Sequence, residues 1–125
     1  MKNTVNWFEI PVTNYERAKT FYNTILNLVI QDYHMPEKNM EYGMFPYDMQ
    51  GNGVGGAIVK MEGLNPSSDG STVYLNGGDD LSVALEKVES AGGTIILPKM
   101  DIDENGFIAQ FIDTEGNRVA LHSMN

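Results

Sequence analysis

Two titratable side chains, Glu9 and His122, are the candidates for acid–base chemistry in this sequence. Each lies in a short apolar run typical of a β-strand, Glu9 in Thr4–Val12 and His122 in Arg118–Ser123. If both project into one cavity, they can act as a general acid and base, because burial and mutual charge tune both pKa values toward neutrality. They can also hold a displaced divalent metal, although two protein ligands are fewer than the three usual at catalytic zinc. A purely structural or pocket-lining role is the third interpretation.

The strands that position these groups sort their side chains into two sets, because successive residues of a strand point to opposite faces. One set is apolar and is the predicted face for helices: Phe8, Ile10, Val12, Val54, Gly56, Ile58, Val73, Leu75, Val119 and Leu121. The other set combines polar groups with very small residues: Trp7, Glu9, Pro11, Gly55, Ala57, Val59, Tyr74, Asn76, Ala120 and His122. The mixed set fits the wall of a ligand cavity, and it fits a solvated antiparallel face as well.

An internal repeat organises the chain. The pattern Asp-x-x-Gly-Asn occurs at Asp48–Asn52 and again at Asp113–Asn117, each time between two apolar runs, and its residues favour a hairpin turn. Around each copy the predicted order is strand, helix and three strands. The first half has strands at 4–12, 28–33, 41–47 and 54–61, and the second at 72–76, 94–97, 106–112 and 118–123. We therefore predict a single α+β domain over residues 1–125, with module one at about 1–62, a linker at 63–71 and module two at about 72–125.

Each half has one amphipathic helix with recognisable ends. In the first, Thr13 is the predicted N-cap with Glu16 at capping-box spacing. In the second, Asp79 or Asp80 can cap, and Gly92-Gly93 stops the helix. The predicted buried positions are Tyr15, Ala18, Tyr22 and Ile25, and then Leu81, Ala84, Val88 and Ala91.

Composition excludes several classes of protein. The chain has 125 residues, 42% of them hydrophobic, and a formal net charge of −9. Such an acidic chain is unsuited to nucleic acid or an anionic membrane, and neutral or cationic small molecules are the expected ligands. No cysteine is present, which excludes disulfides and fits a reducing cytoplasm. No signal peptide or membrane span is visible in the sequence, and we expect a cytoplasmic protein.

The sequence resembles the vicinal oxygen chelate superfamily, which includes glyoxalase I, the bleomycin-resistance proteins and the extradiol dioxygenases. The similarity rests on Phe8–Val12 leading to Arg17-Ala18 and Phe21-Tyr22, and on Ala91–Gly93 followed by the run Asp113–Leu121. The resemblance implies two βαβββ modules that form a curved mixed sheet around one cavity, often shared between the chains of a homodimer. Small-molecule chemistry of the lyase, isomerase or dioxygenase type is the implied activity.

Metal-using members of that superfamily place four ligands, typically His, Gln or Glu, on the first and last strands of each module. Carried onto this sequence, the positions are Trp7, Gly55, Val73 or Tyr74, and Ala120. None of these residues is a usual ligand, although a tyrosine would be an unusual substitute. The resemblance therefore implies that the four-ligand metal site is lost and that no cofactor is needed, unless a divalent metal binds through relocated ligands.

The remaining mixed-set residues suggest how a ligand would be held. Trp7 and Tyr74 can sandwich a planar group while Asn76 fixes its polar edge, or both rings can simply fill the sheet. Ala57 and Ala120 leave room beside Glu9 and His122. The segment 33–49, rich in methionine and aromatic residues, suits a lid, a dimer contact or ordinary core.

Three functions remain open on these residues. The first is a glyoxalase-like enzyme that transfers protons with Glu9 and His122. The second is a non-catalytic protein that binds a small molecule or drug, as the bleomycin-resistance proteins do. The third is a metalloenzyme that uses relocated ligands.

Overall fold

A computed structural model of the chain describes residues 3–34 and 39–125. Within them the first half contains strand β1 (Trp7–Pro11), helix α1 (Tyr15–Leu26) and strands β2 (Gln31–Tyr33), β3 (Met40–Met44) and β4 (Gly55–Met61). The second half contains β5 (Val73–Asn76), α2 (Ser82–Val88), β6 (Thr94–Asp101), a 3-10 turn at Asp103–Asn105, β7 (Phe107–Ile112) and β8 (Arg118–Ser123). The α+β class and the repeated strand–helix–three-strand order are confirmed.

The strands form two four-stranded mixed sheets, ordered β1-β4-β3-β2 and β5-β8-β7-β6. The parallel pairs have the same register in both: Trp7 lies opposite Gly55, and Tyr74 lies opposite Ala120. Two residues further along each pair of strands, Glu9 pairs with Ala57, and Asn76 pairs with His122. Tyr74 rather than Val73 is therefore the counterpart of Trp7, and Asn76 is the counterpart of Glu9.

The N-terminus of α1 corrects one prediction. Asn14, not Thr13, is the N-cap, and its side-chain oxygen accepts a hydrogen bond from the Arg17 backbone N–H at 3.0 Å. Thr13 instead donates through its backbone N–H and its hydroxyl to Glu115, a residue of the other half. The four predicted positions on α1 are all buried.

In α2 the N-cap position is Leu81, which has no side-chain oxygen. Asp80 accepts a hydrogen bond from the Ser82 backbone N–H at 2.9 Å, so it satisfies a free donor of the first turn from one residue upstream. Leu81, Ala84 and Val88 are buried as predicted, whereas Ala91 is partly buried beyond the end of the helix.

One hydrophobic core joins the two halves. It contains both helices and the apolar side of both sheets, with Ile10, Val12 and Ile58 from the first sheet and Leu75 and Leu121 from the second. The predicted helix-facing set is therefore confirmed, with one exception. Val54 is exposed, because β4 begins only at the next residue.

Since both sheets turn one side toward this core, their opposite sides, called the outer faces, point away from it, and on the first of them Tyr42, Ala57 and Val59 form a small buried cluster of their own. The first outer face comprises Trp7, Glu9, Pro11, Met40, Tyr42, Met44, Gly55, Ala57, Val59 and Met61. The second outer face comprises Tyr74, Asn76, Ile108, Gln110, Arg118, Ala120 and His122. Among the described residues, no strand of one sheet pairs with a strand of the other. None of the helices in this part of the chain is long and apolar enough to cross a membrane.

The two copies of the repeated turn have different surroundings. The first copy is exposed, and Asp48 accepts a hydrogen bond from the Gly51 N–H within the turn. The second copy docks on the first half. There the Tyr22 hydroxyl donates to Asp113 Oδ2 at 2.6 Å, and Asn117 Nδ2 donates to the Pro11 carbonyl at 2.7 Å.

Glu115 completes this contact between the halves. Its Oε1 accepts hydrogen bonds from the Thr13 N–H, the Thr13 hydroxyl and the Asn14 N–H, and its Oε2 pairs with Arg17 Nε at 2.7 Å. Burial of Glu115 opposes its ionisation, but the hydrogen bonds from Arg17, Asn14, Thr114 and Thr13 outweigh burial and lower its pKa to about 2.

The Glu115 carboxylate makes the free energy of unfolding depend on pH in the acid range. The pKa of Glu115 is depressed from an ordinary value of 4.5, so its contribution is complete above pH 4.5 and is lost as the pH falls toward 2. We expect Glu115→Gln to lower the free energy of unfolding at pH 7 and to flatten its decline over that acid range. Urea denaturation between pH 2.5 and 7 measures both effects. Glu86→Gln, an exposed change on α2, is the matched control, and identical acid slopes for wild type and Glu115→Gln would contradict the assignment.

Candidate functional site

A chain of hydrogen bonds orients Glu9 on the first outer face. Trp7 Nε1 donates to the Tyr42 hydroxyl at 2.9 Å, and that hydroxyl donates to Glu9 Oε2 at 2.8 Å. Burial and the hydrogen bond to Glu9 raise the pKa of Tyr42, against the opposing effect of the Trp7 donor, so the phenol keeps its proton. Glu9 itself is exposed. The carboxylate is therefore both oriented and open to a ligand.

Two aromatic rings pack against each other on the same face as this carboxylate. The rings of Trp7 and Tyr47 are nearly perpendicular, at 80°, with centroids 5.8 Å apart. Both lie over Gly55, where a Cβ would be 2.5 Å from Tyr47 Cδ1 and 2.8 Å from Trp7 Cζ3. Glycine at position 55 thus allows the two rings to pack against the strand.

On the second outer face, a hydrogen bond to the backbone orients the His122 ring. His122 Nε2 lies 2.6 Å from the Asn105 backbone carbonyl oxygen. Since a carbonyl can only accept, Nε2 is the protonated nitrogen that donates in this contact. A cavity of about 380 Å³ adjoins this histidine, with Tyr74, Asn76 and Met124 in its wall. Beside it, Gln110 Nε2 donates to the Tyr74 hydroxyl at 3.0 Å.

Arg118 lies on the same outer face, two residues before Ala120. Its Nε is buried and has no hydrogen-bond partner among the residues that the structure describes. A buried guanidinium N–H without an acceptor is costly, so this atom lowers the stability of the strand's packing.

The structure places the predicted site residues on two separate surfaces. Trp7 and Glu9 lie on the first outer face, and Tyr74, Asn76 and His122 lie on the second. Ala57 and Ala120 are fully buried beneath their neighbours, and their contact with a ligand stays a prediction. The pairing of Glu9 with His122 also stays a prediction, because their hydrogen bonds run to Tyr42 and Asn105 in different halves.

The four positions implied for a metal do not suit one. Trp7, Gly55 and Ala120 offer no oxygen or nitrogen ligand of the usual kind, and the phenol of Tyr74 is bonded to Gln110. The Tyr47 ring also fills the space that a side chain at 55 would need. Within residues 3–34 and 39–125, no three His, Cys, Asp or Glu side chains converge on a point.

A larger cavity, of about 580 Å³, lies away from both outer-face groups, at the ends of β3 and β4. Its wall includes His34, Lys60 and Glu41, and the last two pair with each other at 3.8 Å. Glu62 adds a second carboxylate to this wall, and none of the predicted site residues lines the cavity. It borders the segment 33–49, of which residues 35–38 lie outside the described part of the chain.

Sequence reasoning did not single out Tyr42, Tyr47, Asn105, Gln110 or Arg118 as site residues. Tyr42 and Tyr47 belong to the segment 33–49, predicted as a lid, a dimer contact or core. The high aromatic content of that segment was the feature of the sequence that could have pointed to them. No signal in the sequence pointed to the Asn105 carbonyl.

Comparison with known proteins places this chain in a class. The Glyoxalase/Bleomycin resistance protein/Dioxygenase superfamily matches residues 4–121, and the chain belongs to that superfamily. A protein of Mycobacterium bovis named "Putative glyoxylase CFP32" is 28% identical over 129 residues, which cover 99% of this chain and 47% of that protein. The chain therefore spans about half the length of this relative.

Solved structures show the same fold. A mutant of glyoxalase I from Zea mays superposes with a TM-score of 0.73 at 22% identity, over 94% of this chain and 46% of the maize chain. The fosfomycin resistance protein FosX from Listeria monocytogenes superposes with a TM-score of 0.66 at 13% identity, over 100% of this chain and 94% of that one.

Proposed function

We propose that this protein is a glyoxalase-like enzyme that transfers protons on a small molecule, in lyase- or isomerase-type chemistry, at a site shared between two chains of a homodimer. The first outer face of one chain and the second outer face of its partner would form the two walls. The observation that carries the proposal is that each outer face holds one oriented proton-transfer group, Glu9 on the first and His122 on the second.

The position of the core supports the proposed dimer. Each sheet packs its helix-facing side against the shared core, so its outer face is left for a second chain to cover. The first outer face also carries large exposed apolar groups, including Trp7 and Met61. A second copy placed against this face would cover them and enclose Glu9.

The chemistry follows from the hydrogen bonds. A carboxylate held by a protonated phenol has a fixed direction, and it can take a proton from a ligand carbon or heteroatom. Glu9 then holds the proton and can return it to a neighbouring atom of the ligand, while Nδ1 of His122, whose Nε2–H is engaged, can accept a proton from the ligand. Because the four metal positions do not suit a metal, the proposed reaction uses these side chains without one.

The shared site can be tested by cross-linking, because the chain has no cysteine of its own. Glu9→Cys and His122→Cys are made in separate chains, co-expressed, and treated with a short bis-maleimide. We expect a covalent dimer in this mixture, since the two thiols would face each other across the interface. The control mixture replaces Glu9→Cys by Glu86→Cys, on the exposed side of α2, and should stay monomeric on a denaturing gel.

A single chain that carries both Glu9→Cys and His122→Cys tests the alternative, in which the site lies within one chain. If it cross-links only within itself and never to a partner, the site belongs to one chain and the dimeric arrangement is wrong. Sedimentation of the unmodified protein gives an independent reading of the oligomeric state.

Binding without catalysis is the second candidate function, and the Trp7–Tyr47 pair favours it because aromatic walls hold a ligand without catalytic groups. A screen of small molecules by thermal shift, followed by recovery of each ligand, separates the two functions. Product formation that vanishes in Glu9→Gln supports the enzyme, and unaltered ligand supports the binding protein. A cytoplasmic location is part of either proposal and rests on the cysteine-free composition.

A further inference from the structure

We infer that the corner formed by Trp7 and Tyr47 binds the alkylated ammonium group of a small organic cation, with Glu9 as its counter-charge. The inference rests on the proposed function, because it names the class of ligand for the first outer face. It depends on three features of that face: the angle between the two rings, the position of the carboxylate, and the glycine beneath them.

The geometry of the rings supplies two walls. In a perpendicular pair, the edge of one ring meets the face of the other, so the space beside the contact is bounded by two ring faces at a right angle. Ring faces carry the negative side of the aromatic quadrupole and attract cations. Trp7 and Tyr47 are each 38% exposed, so the corner is open to a ligand.

The carboxylate of Glu9 supplies the charge. It is separated from the Trp7 indole nitrogen by a single atom, the Tyr42 hydroxyl oxygen, with hydrogen bonds of 2.9 and 2.8 Å on its two sides. The indole N–H donates to the Tyr42 hydroxyl and the Tyr42 O–H donates to the carboxylate, so both donors are engaged within the protein. What remains toward a ligand is ring faces and negative charge.

Gly55 shows that the corner is built into the fold. A side chain at this position would meet both rings, and the rings could not then lie over the strand. The place that the superfamily resemblance assigns to a metal ligand is thus occupied by an aromatic wall. A cation bound here would be an organic group held by the ring faces, and the formal charge of −9 on the chain favours its approach.

Trp7 is the single tryptophan, so its fluorescence reports directly on the corner. Choline chloride is titrated at constant ionic strength against 3,3-dimethylbutan-1-ol, a neutral molecule of the same shape. We expect a saturable change in emission with choline, at least about fivefold tighter than with the alcohol, which corresponds to about 1 kcal/mol of cation–π attraction. Glu9→Gln and Tyr47→Leu should each weaken choline binding about fivefold, and Glu86→Gln should leave it unchanged.

Equal affinity for choline and the alcohol would overturn the inference, because the face would then bind by shape alone, and the proposed function would stand. A response to neither molecule would also overturn it, while the cross-linking experiment decides separately on the shared site. Phosphatidylcholine vesicles present the same headgroup on a surface, and a response to vesicles without one to free choline would exclude a free small molecule as the ligand. Thermal unfolding of Tyr47→Leu shows that the variant is folded.

Discussion

Asp113→Ala lowers the free energy of unfolding by about 3 kcal/mol or more, because it leaves several buried donors without an acceptor. Asp113 is 4% exposed and accepts four hydrogen bonds: from the Tyr22 hydroxyl at 2.6 Å, the Glu115 N–H at 2.8 Å, the Asn117 N–H at 2.9 Å and Asn117 Nδ2 at 3.0 Å. The Tyr22 side chain is wholly buried, so water cannot replace the lost acceptor. Urea denaturation at pH 7 measures the loss.

The sequence repeat offers the matched control for this substitution. Asp48 occupies the same place in the first turn, but it is exposed, and its side chain accepts a hydrogen bond from the Gly51 N–H of its own turn. Asp48→Ala is therefore expected to cost less than about 1 kcal/mol. Similar losses for the two variants would mean that the contact between the halves contributes little, contrary to the structure.

The second large effect is expected from Phe21→Ala, at about 3–5 kcal/mol. Phe21 is 1% exposed, and its ring lies 5.7 Å from that of Phe111 on the second sheet and 4.9 Å from that of Tyr22 on its own helix. It also lies so close to Gly93 that a Cβ there would be 3.0 Å from Phe21 Cε1. Removing the ring opens a cavity at the point where α1 meets the second half.

Phe21→Leu is the control for this variant, since it keeps most of the apolar volume and should cost about 1.5 kcal/mol. Equilibrium denaturation followed by far-ultraviolet circular dichroism gives both values. A loss below about 1 kcal/mol for Phe21→Ala would contradict a core shared between the halves.

The sequence was a good guide to local structure and a poor one to contacts between distant residues. Periodicity and turn chemistry predicted the order of strands and helices along the chain, the buried positions of α1 and the turns, because these depend on neighbours within a few residues. The cap of α1 was placed at Thr13 because capping-box spacing is a local pattern. The structure uses Asn14, since Thr13 is engaged by Glu115, about a hundred residues away.

In the candidate site too, the sequence predicted the local features and missed the contacts between distant residues. Alternation along the strands predicted that Trp7 shares a side with Glu9, and Tyr74 with Asn76, which the register bears out. It could not show that Tyr42 links Trp7 to Glu9, because that link depends on the alignment of β3 with β4. The pairing of Glu9 with His122 stays a prediction, because the hydrogen bonds of these two residues lie in different halves of the chain.

The contact between α1 and Glu115 has a consequence for the order of folding during synthesis. The free N–H groups of Thr13 and Asn14 at the start of α1 are satisfied by a carboxylate that leaves the ribosome some hundred residues later. The first half can form its strands and its helix earlier, with water on these exposed N–H groups, but it gains this carboxylate only after Glu115 has been made. The two halves therefore complete their folding together, although the repeat suggests two units that could fold one after the other.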